Sequence, residues 1–220
     1  MIDIDKWLKA YQQEITNSFG NRVLFIGLQG SYGRKEATNQ SDIDVVLILD
    51  KVDMDDLILY RETVDKLSYR ELLCGFVSGK DEISCWSRSD LFQFYFDTIP
   101  IMGTLDNIIP TVSKADAKQA VLIGACNVYH ACSHNFLHAM DTNTLQQLYK
   151  SAFFIMQAKI YCETGVYVNN KSKMIKYVSV EDKIILDVIL DLSIINQNDF
   201  KKYSEILFIW VKNLITIYKE

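Results

Sequence analysis

Proline is nearly absent. Only Pro100 and Pro110 occur in 220 residues, so little interrupts a helix and long helices are expected. Positive charge is not in excess either. The 23 Lys and Arg against 28 Asp and Glu leave a net charge of −5, which speaks against an extended nucleic-acid surface. The five cysteines, Cys74, Cys85, Cys126, Cys132 and Cys162, include no CxxC pair. An odd count without such pairs reads as reduced thiols in a cytoplasmic protein. No run approaches the roughly 20 apolar residues that span a bilayer. The richest, Ile184 to Ile195, is broken by Asp187 and Asp191, so no membrane partner is expected. The opening stretch MIDIDKWLKAYQQE has no basic region followed by an apolar one, and so does not read as a secretory signal. Internal repeats and low-complexity segments are also missing. What is present, 49% hydrophobic and 23% charged residues, suits an ordinary folded chain of one large domain or two small ones.

The two halves differ in pattern. Trp7, Leu8, Tyr11, Ile15 and Phe19 recur at three- and four-residue spacing, which predicts an amphipathic opening helix stopped at Gly20-Asn21. Short β-branched and aromatic runs follow at 22–28, 42–49 and 72–77, each read as a strand. Residues 54–67 read as a helix, and 89–97 as a helix covering the sheet. Beyond Pro110 the strands cease. Helices are predicted near 114–139, 143–164, 180–193 and 197–218, with Gly165 ending the second. A domain boundary is therefore expected near 110, giving domains 1–110 and 111–220.

Chemistry concentrates in Gly30 to Asp44, GSYGRKEATNQSDID. A glycine directly after a strand lets the backbone approach an anion, and Ser31 can donate its hydroxyl to phosphate oxygens. Arg34 can add a charged fork. Asp42 and Asp44 lie two apart, so on a strand they face the same way. Side by side they repel unless a cation intervenes, and Mg²⁺ completed by phosphate oxygens suits such a seat. Each part alone is commonplace, but the conjunction is specific.

Strand, Gly30-Ser31, Arg34, then Ser41-Asp42-Ile43-Asp44 opening an apolar strand resembles the nucleotidyltransferase superfamily with the DNA polymerase β-like fold. The rest of the chain is similar, more loosely, to the aminoglycoside adenylyltransferases. The carriers are Trp86, Asp90 to Phe94, Gly103 and Thr164-Gly165 followed by Lys171. The resemblance implies a two-domain α+β protein: a mixed nucleotidyltransferase sheet with flanking helices, then an all-helical bundle, with the nucleotide in the cleft between them. It implies Mg²⁺-dependent transfer of AMP or another nucleoside monophosphate from ATP or another nucleoside triphosphate to a hydroxyl of a small acceptor, an aminoglycoside-like antibiotic being one candidate. Gly30, Ser31, Arg34 and Lys171 (or Lys173) would hold the triphosphate, and Asp42 and Asp44 the metal.

Two departures stand out. The superfamily's third carboxylate falls at Cys74, and no Asp or Glu lies between Leu72 and Lys80. Glu71, Asp81, Glu82 and Asp97 are the nearest substitutes. Glu82 is preferred as catalytic base, since it follows a strand end, with Asp97 second. Asp97 also stands where the antibiotic enzymes keep a tryptophan, which sets a streptomycin-like acceptor in question. A catalytically weak nucleotide-binding or partner module, or transfer to a protein side chain, are the alternative readings. Elsewhere, His130, His134 and His138 recur every four residues. The outer pair would be about 12 Å apart along a helix, too far for one metal to take all three. They read as partly exposed histidines, a polar stripe lining the cleft or a two-histidine metal site being the other readings.

Overall fold

All five spaced apolar residues of the opening segment are buried along one helix, α1 (Ile4–Phe19), whose N-cap Asp3 accepts from the Lys6 N–H at 3.1 Å. A computed structural model describes residues 2–39 and 41–219 of the chain. After α1 come β1 (Val23–Leu28), a single helical turn α2 (Gly30–Gly33), β2 (Ile43–Leu49), α3 (Met54–Val64), β3 (Leu73–Gly79), α4 (Lys80–Ser84), α5 (Arg88–Asp97) and β4 (Ile99–Met102). The chain divides into two compact units, Met1–Ser87 with Phe94–Thr111 and Arg88–Gln93 with Val112–Glu220.

In the first unit the strands form one mixed sheet of order β3-β2-β1-β4. β1 runs antiparallel to β2 and β4, whereas β2 and β3 are parallel. The parallel pair needs a crossover, which α3 supplies. Alternation along β2 assigns its two faces. Ile43, Val45, Leu47 and Leu49 join the core made by Trp7, Leu8, Tyr11, Ile15 and Phe19. Asp44, Val46 and Ile48 point to the other face, where their register partners on β3 are Cys74, Phe76 and Ser78. Phe76, Trp86 and Phe94 meet there edge to face, with ring centroids 5.1, 5.4 and 6.1 Å apart. Strand β4 was not expected. It is only four residues long and contains Pro100, which is tolerated because β4 lies at a sheet edge.

The second unit holds the long helices that scarce proline predicted. They are α6 (Lys114–His134), running into a π-helical turn at Asn135–Ala139, then α7 (Thr142–Thr164), the short α8 (Lys171–Met174), α9 (Val180–Leu190) and α10 (Phe200–Tyr218). Gly165 closes α7 at φ +73, its N–H donating to the Tyr161 carbonyl. Among the described residues no helix is long and apolar enough to cross a membrane.

Asp182 ties three of these helices together. It completes the capping box of α9 with Ser179, pairs with Lys159 Nζ of α7 at 2.6 Å, and accepts from Trp210 Nε1 of α10 at 2.8 Å. Burial alone would raise its pKa, but hydrogen bonds from Lys159, Trp210 and Ser179 more than offset this and hold the carboxyl below its ordinary value. A carboxylate with a depressed pKa stabilises the fold above the unfolded pKa of about 4, and that contribution is lost as pH falls through the folded value. Asp182→Ala should lower unfolding free energy by about 3 kcal/mol in urea titrations at pH 7. The deficit relative to wild type should shrink as pH drops below about 4.

Candidate active site

The site is built where β1 ends beside the start of β2. Leu28 pairs with Val45, and the Gln29 N–H carries the ladder one step further by donating to the Asp44 carbonyl at 2.7 Å. The next residue, Gly30, has φ +63, and a Cβ there would run into the Asp44 carboxylate. Left-handed backbone and close approach both require glycine. The α2 turn follows at once. The Arg34 N–H donates to the Gly30 carbonyl at 3.0 Å and the Glu36 N–H to the Ser31 carbonyl at 2.8 Å. These bonds fold the loop back so that Ser31 is half-buried. Arg34 keeps 17% of its side chain exposed and pairs with Glu36 Oε2 at 3.3 Å.

Asp44 is half-buried and Asp42 exposed. Burial first, and then the charge of Asp42, push the Asp44 pKa up, while Arg34 and a hydrogen bond from Cys74 pull part of it back. The carboxylate is thus under-compensated. A hard cation between Asp42 and Asp44 would relieve the repulsion, and both offer the oxygen ligands that Mg²⁺ prefers. Among the described residues no group of three His, Cys, Asp or Glu could hold a metal ion. The donor set therefore fits a cation whose remaining positions are filled by phosphate oxygens and water.

Cys74 stands in register with Asp44 and donates its thiol hydrogen to that carboxylate. Cys74 is exposed, on an edge strand of the sheet. Local desolvation of the sulfur, then the Asp44 and Asp42 charges, raise its pKa. It is a poor base and a poor ligand for Mg²⁺.

Glu82 does not join the site. Asp44 pairs with Cys74 at the beginning of β3, while Gly79 at its end pairs with Leu49. Five residues of strand, about 17 Å, separate the two levels. Glu82 lies beyond Gly79, its carboxylate packed over that glycine. The expectation followed the C-terminal end of β3, yet the site is at the C-terminal end of β1, and β1 and β3 point in opposite directions. Asp97 is at the right end. Ile99 pairs with Leu28, and Gln29 Nε2 donates to Thr98 Oγ1 at 2.6 Å, so Asp97, the last residue of α5, stands one residue from the Gln29 contact. Gln29 and Thr98 were missed in the sequence because only the unexpected β4 brings them together. Lys171 belongs to the second unit, with its Nζ 5.7 Å from the centre of the Phe153 ring. Lys173 is exposed. The three histidines are exposed, with neighbouring ring centroids 6.5 and 4.8 Å apart.

This constellation agrees with what the chain resembles. Residues 10–97 match the family model described as a nucleotidyltransferase domain. That segment is a nucleotidyltransferase domain, which supports an enzyme of the class that transfers a nucleoside monophosphate. Among solved structures it is similar to spectinomycin adenyltransferase from Enterococcus faecialis, determined with ATP and spectinomycin. The TM-score is 0.55 at 13% identity, covering 98% of this chain and 99% of that one. At that identity the likeness is one of fold. No curated protein matches the chain in sequence.

Two outcomes test the geometry. Gly30→Ala should displace Asp44 and weaken nucleotide binding at least tenfold by calorimetry, on top of a fold penalty of about 1–2 kcal/mol for the left-handed alanine. Alkylation of Cys74 at pH 8, followed by peptide mass spectrometry, should be slower in the folded chain than in urea. Asp44→Asn should accelerate it, because a charge that raises the thiol pKa is gone.

Proposed function

We propose that the chain transfers AMP, or another nucleoside monophosphate, from a nucleoside triphosphate to a hydroxyl of a small polyhydroxylated acceptor. The observation that carries the reading is the close approach of Gly30 to the Asp44 carboxylate at the mouth of the β1–α2 turn. It supports reading the turn as a phosphate-binding group with a metal seat beside it.

In this reading the Ser31 hydroxyl and the backbone N–H groups opening α2 bind phosphate oxygens, since a helical turn leaves its first amides without partners inside it. Arg34 adds a fixed cation to the same oxygens. Asp42 and Asp44 would hold Mg²⁺, which when bound neutralises charge on the triphosphate and on departing pyrophosphate. Cys74 steadies one Asp44 oxygen through its hydrogen bond. Asp97 takes the place proposed for Glu82: on the side of the sheet end where β1 finishes, it would accept the proton of the acceptor hydroxyl as oxygen attacks the α-phosphorus. The remaining barrier is lowered by placement and fixed charge. The phosphate role of Lys171 rests on the resemblance. The structural neighbour holds ATP and spectinomycin, which supports a nucleotide donor and a compact hydroxylated acceptor here.

A second reading, a nucleotide-binding module with little turnover, is favoured by Cys74 standing where a third carboxylate would act. Labelled ATP offered with aminoglycoside, aminocyclitol, lincosamide and protein acceptors separates the two. Transfer to any small acceptor supports the first. Mg²⁺-dependent binding with no transfer supports the second.

Within the first reading, Asp97→Asn should lower kcat by about 10²–10⁴-fold, the range for a lost general base. Glu82→Gln should turn over like wild type. The reverse pattern would overturn the assignment. Calorimetry with ATP should show affinity that collapses in EDTA, because Asp42 and Asp44 then face the triphosphate uncompensated. Equal affinity with and without EDTA would remove the metal from the scheme.

A further inference from the structure

The chain leaving α7 doubles back along the helix it has just left. Phe153, Gln157 and Tyr161 recur every four residues and so lie on one stripe of α7. The stripe meets the returning segment at three successive rungs. The Gly165 N–H donates to the Tyr161 carbonyl at 2.9 Å. Gln157 Nε2 donates to the Val168 carbonyl at 3.2 Å. Lys171 Nζ stands 5.7 Å from the centre of the Phe153 ring, within reach of a cation–π attraction. Gly165, Val168 and Lys171 are thus pinned in order, from the last turn of α7 back toward its middle.

Gln157 is the middle rung, and its side chain is wholly buried. An amide at that depth is tolerated only when its polar atoms are paired. The pairing reaches two ways. Nε2 goes to Val168, and Oε1 accepts from Gln93 Nε2 of α5 at 3.2 Å. Gln93 Nε2 also donates to Tyr167 Oη at 3.0 Å. The Phe92 ring packs against Tyr161 and Tyr167, with centroids 5.1 and 5.9 Å apart. An apolar side chain at 157 would fill the same space. What the amide adds is direction, because it fixes a backbone carbonyl of the segment that leads into α8. The lysine that opens α8 shares in that order. Lys171 is half-buried, whereas Lys173 is exposed. A loose lysine spreads over many rotamers, and restricting it beforehand lowers the cost of placing its charge on a ligand.

We propose that Gln157, supported by Gln93, is a positioning residue for nucleotide binding: it holds the 165–170 segment on α7 and so sets where Lys171 presents its ammonium. The inference rests on the reading of Lys171 as a triphosphate ligand and deepens it by naming the buried group that places it. It also separates the two candidate lysines, since Lys173 lies past the last rung.

The test is calorimetry of Mg²⁺-ATP binding to the full chain, which needs no acceptor, run as a double-mutant cycle. Lys171→Ala should weaken binding by about 10–100-fold, the range for a hydrogen bond to a charged group. Gln157→Met should weaken it by about fivefold, the worth of one neutral hydrogen bond. In the Lys171→Ala background, Gln157→Met should change affinity by less than about twofold, because the group through which it acts is gone. A merely structural role would give the same loss in both backgrounds. The proposal is overturned by that equal loss, by unchanged affinity in Gln157→Met, or by Lys171→Ala binding like wild type. In the last case the phosphate role of Lys171 falls with it, while the metal seat at Asp42 and Asp44 is judged separately by the EDTA comparison. Should Gln157→Met fail to fold, Gln93→Met removes the donor behind the same amide, and the cycle is read with that variant.

Discussion

The antiparallel pairing of β1 with β2 is the constraint on which the catalytic unit depends. Because the strands oppose one another, the loop leaving β1 must pass over the residues that begin β2. The Gln29–Asp44 backbone bond fixes that passage at 2.7 Å. Only a residue without a side chain can follow at Gly30, where the Asp44 carboxylate already occupies the space. Glycine, aspartate and turn are therefore one feature seen from three positions. The same direction rule sorts the acidic residues. It brings Asp97 toward the site through β4 and leaves Glu82 at the opposite end of the sheet.

The electrostatics of the site show a seat that is incomplete by itself. Burial and the neighbouring Asp42 disfavour the charge on Asp44, and Arg34 only partly compensates. In the proposed reading, such an arrangement is relieved when a cation binds together with phosphates. Cys74 sharpens the point. A carboxylate at that register position would add a third negative charge to an already crowded edge. The thiol instead donates a hydrogen bond to Asp44.

Much of this was legible in the residues, for physical reasons that vary by element. Long helices announce themselves through spacing. The five buried positions of α1 and the presence of α6, α7, α9 and α10 follow from apolar periodicity and scarce proline, although α9 stops at Leu190 and α10 starts at Phe200, each three residues inside its expected limit. The Gly30–Asp44 segment was readable because its residue types are rare in combination. Strand direction was not. Periodicity reports which residues share a face and says nothing of which neighbour a strand will take, and that is why Glu82 looked well placed. Strand β4 escaped because four residues around Pro100 carry too little pattern. The exposure of Cys74 depends on β3 being an edge strand, a property of the assembled sheet.

In the helical unit, Asp182 gives one side chain obligations to three helices at once. Its bond to Trp210 reaches the middle of α10, so the last helix is not a detachable appendage. A chain cut before Trp210 would lose more than a terminal length of helix. It would leave a buried carboxylate short of its indole partner and strip the cover from its neighbours. The carboxyl-terminal end is thus a clasp for the unit, and shortening it would undo the bundle as a whole instead of trimming it.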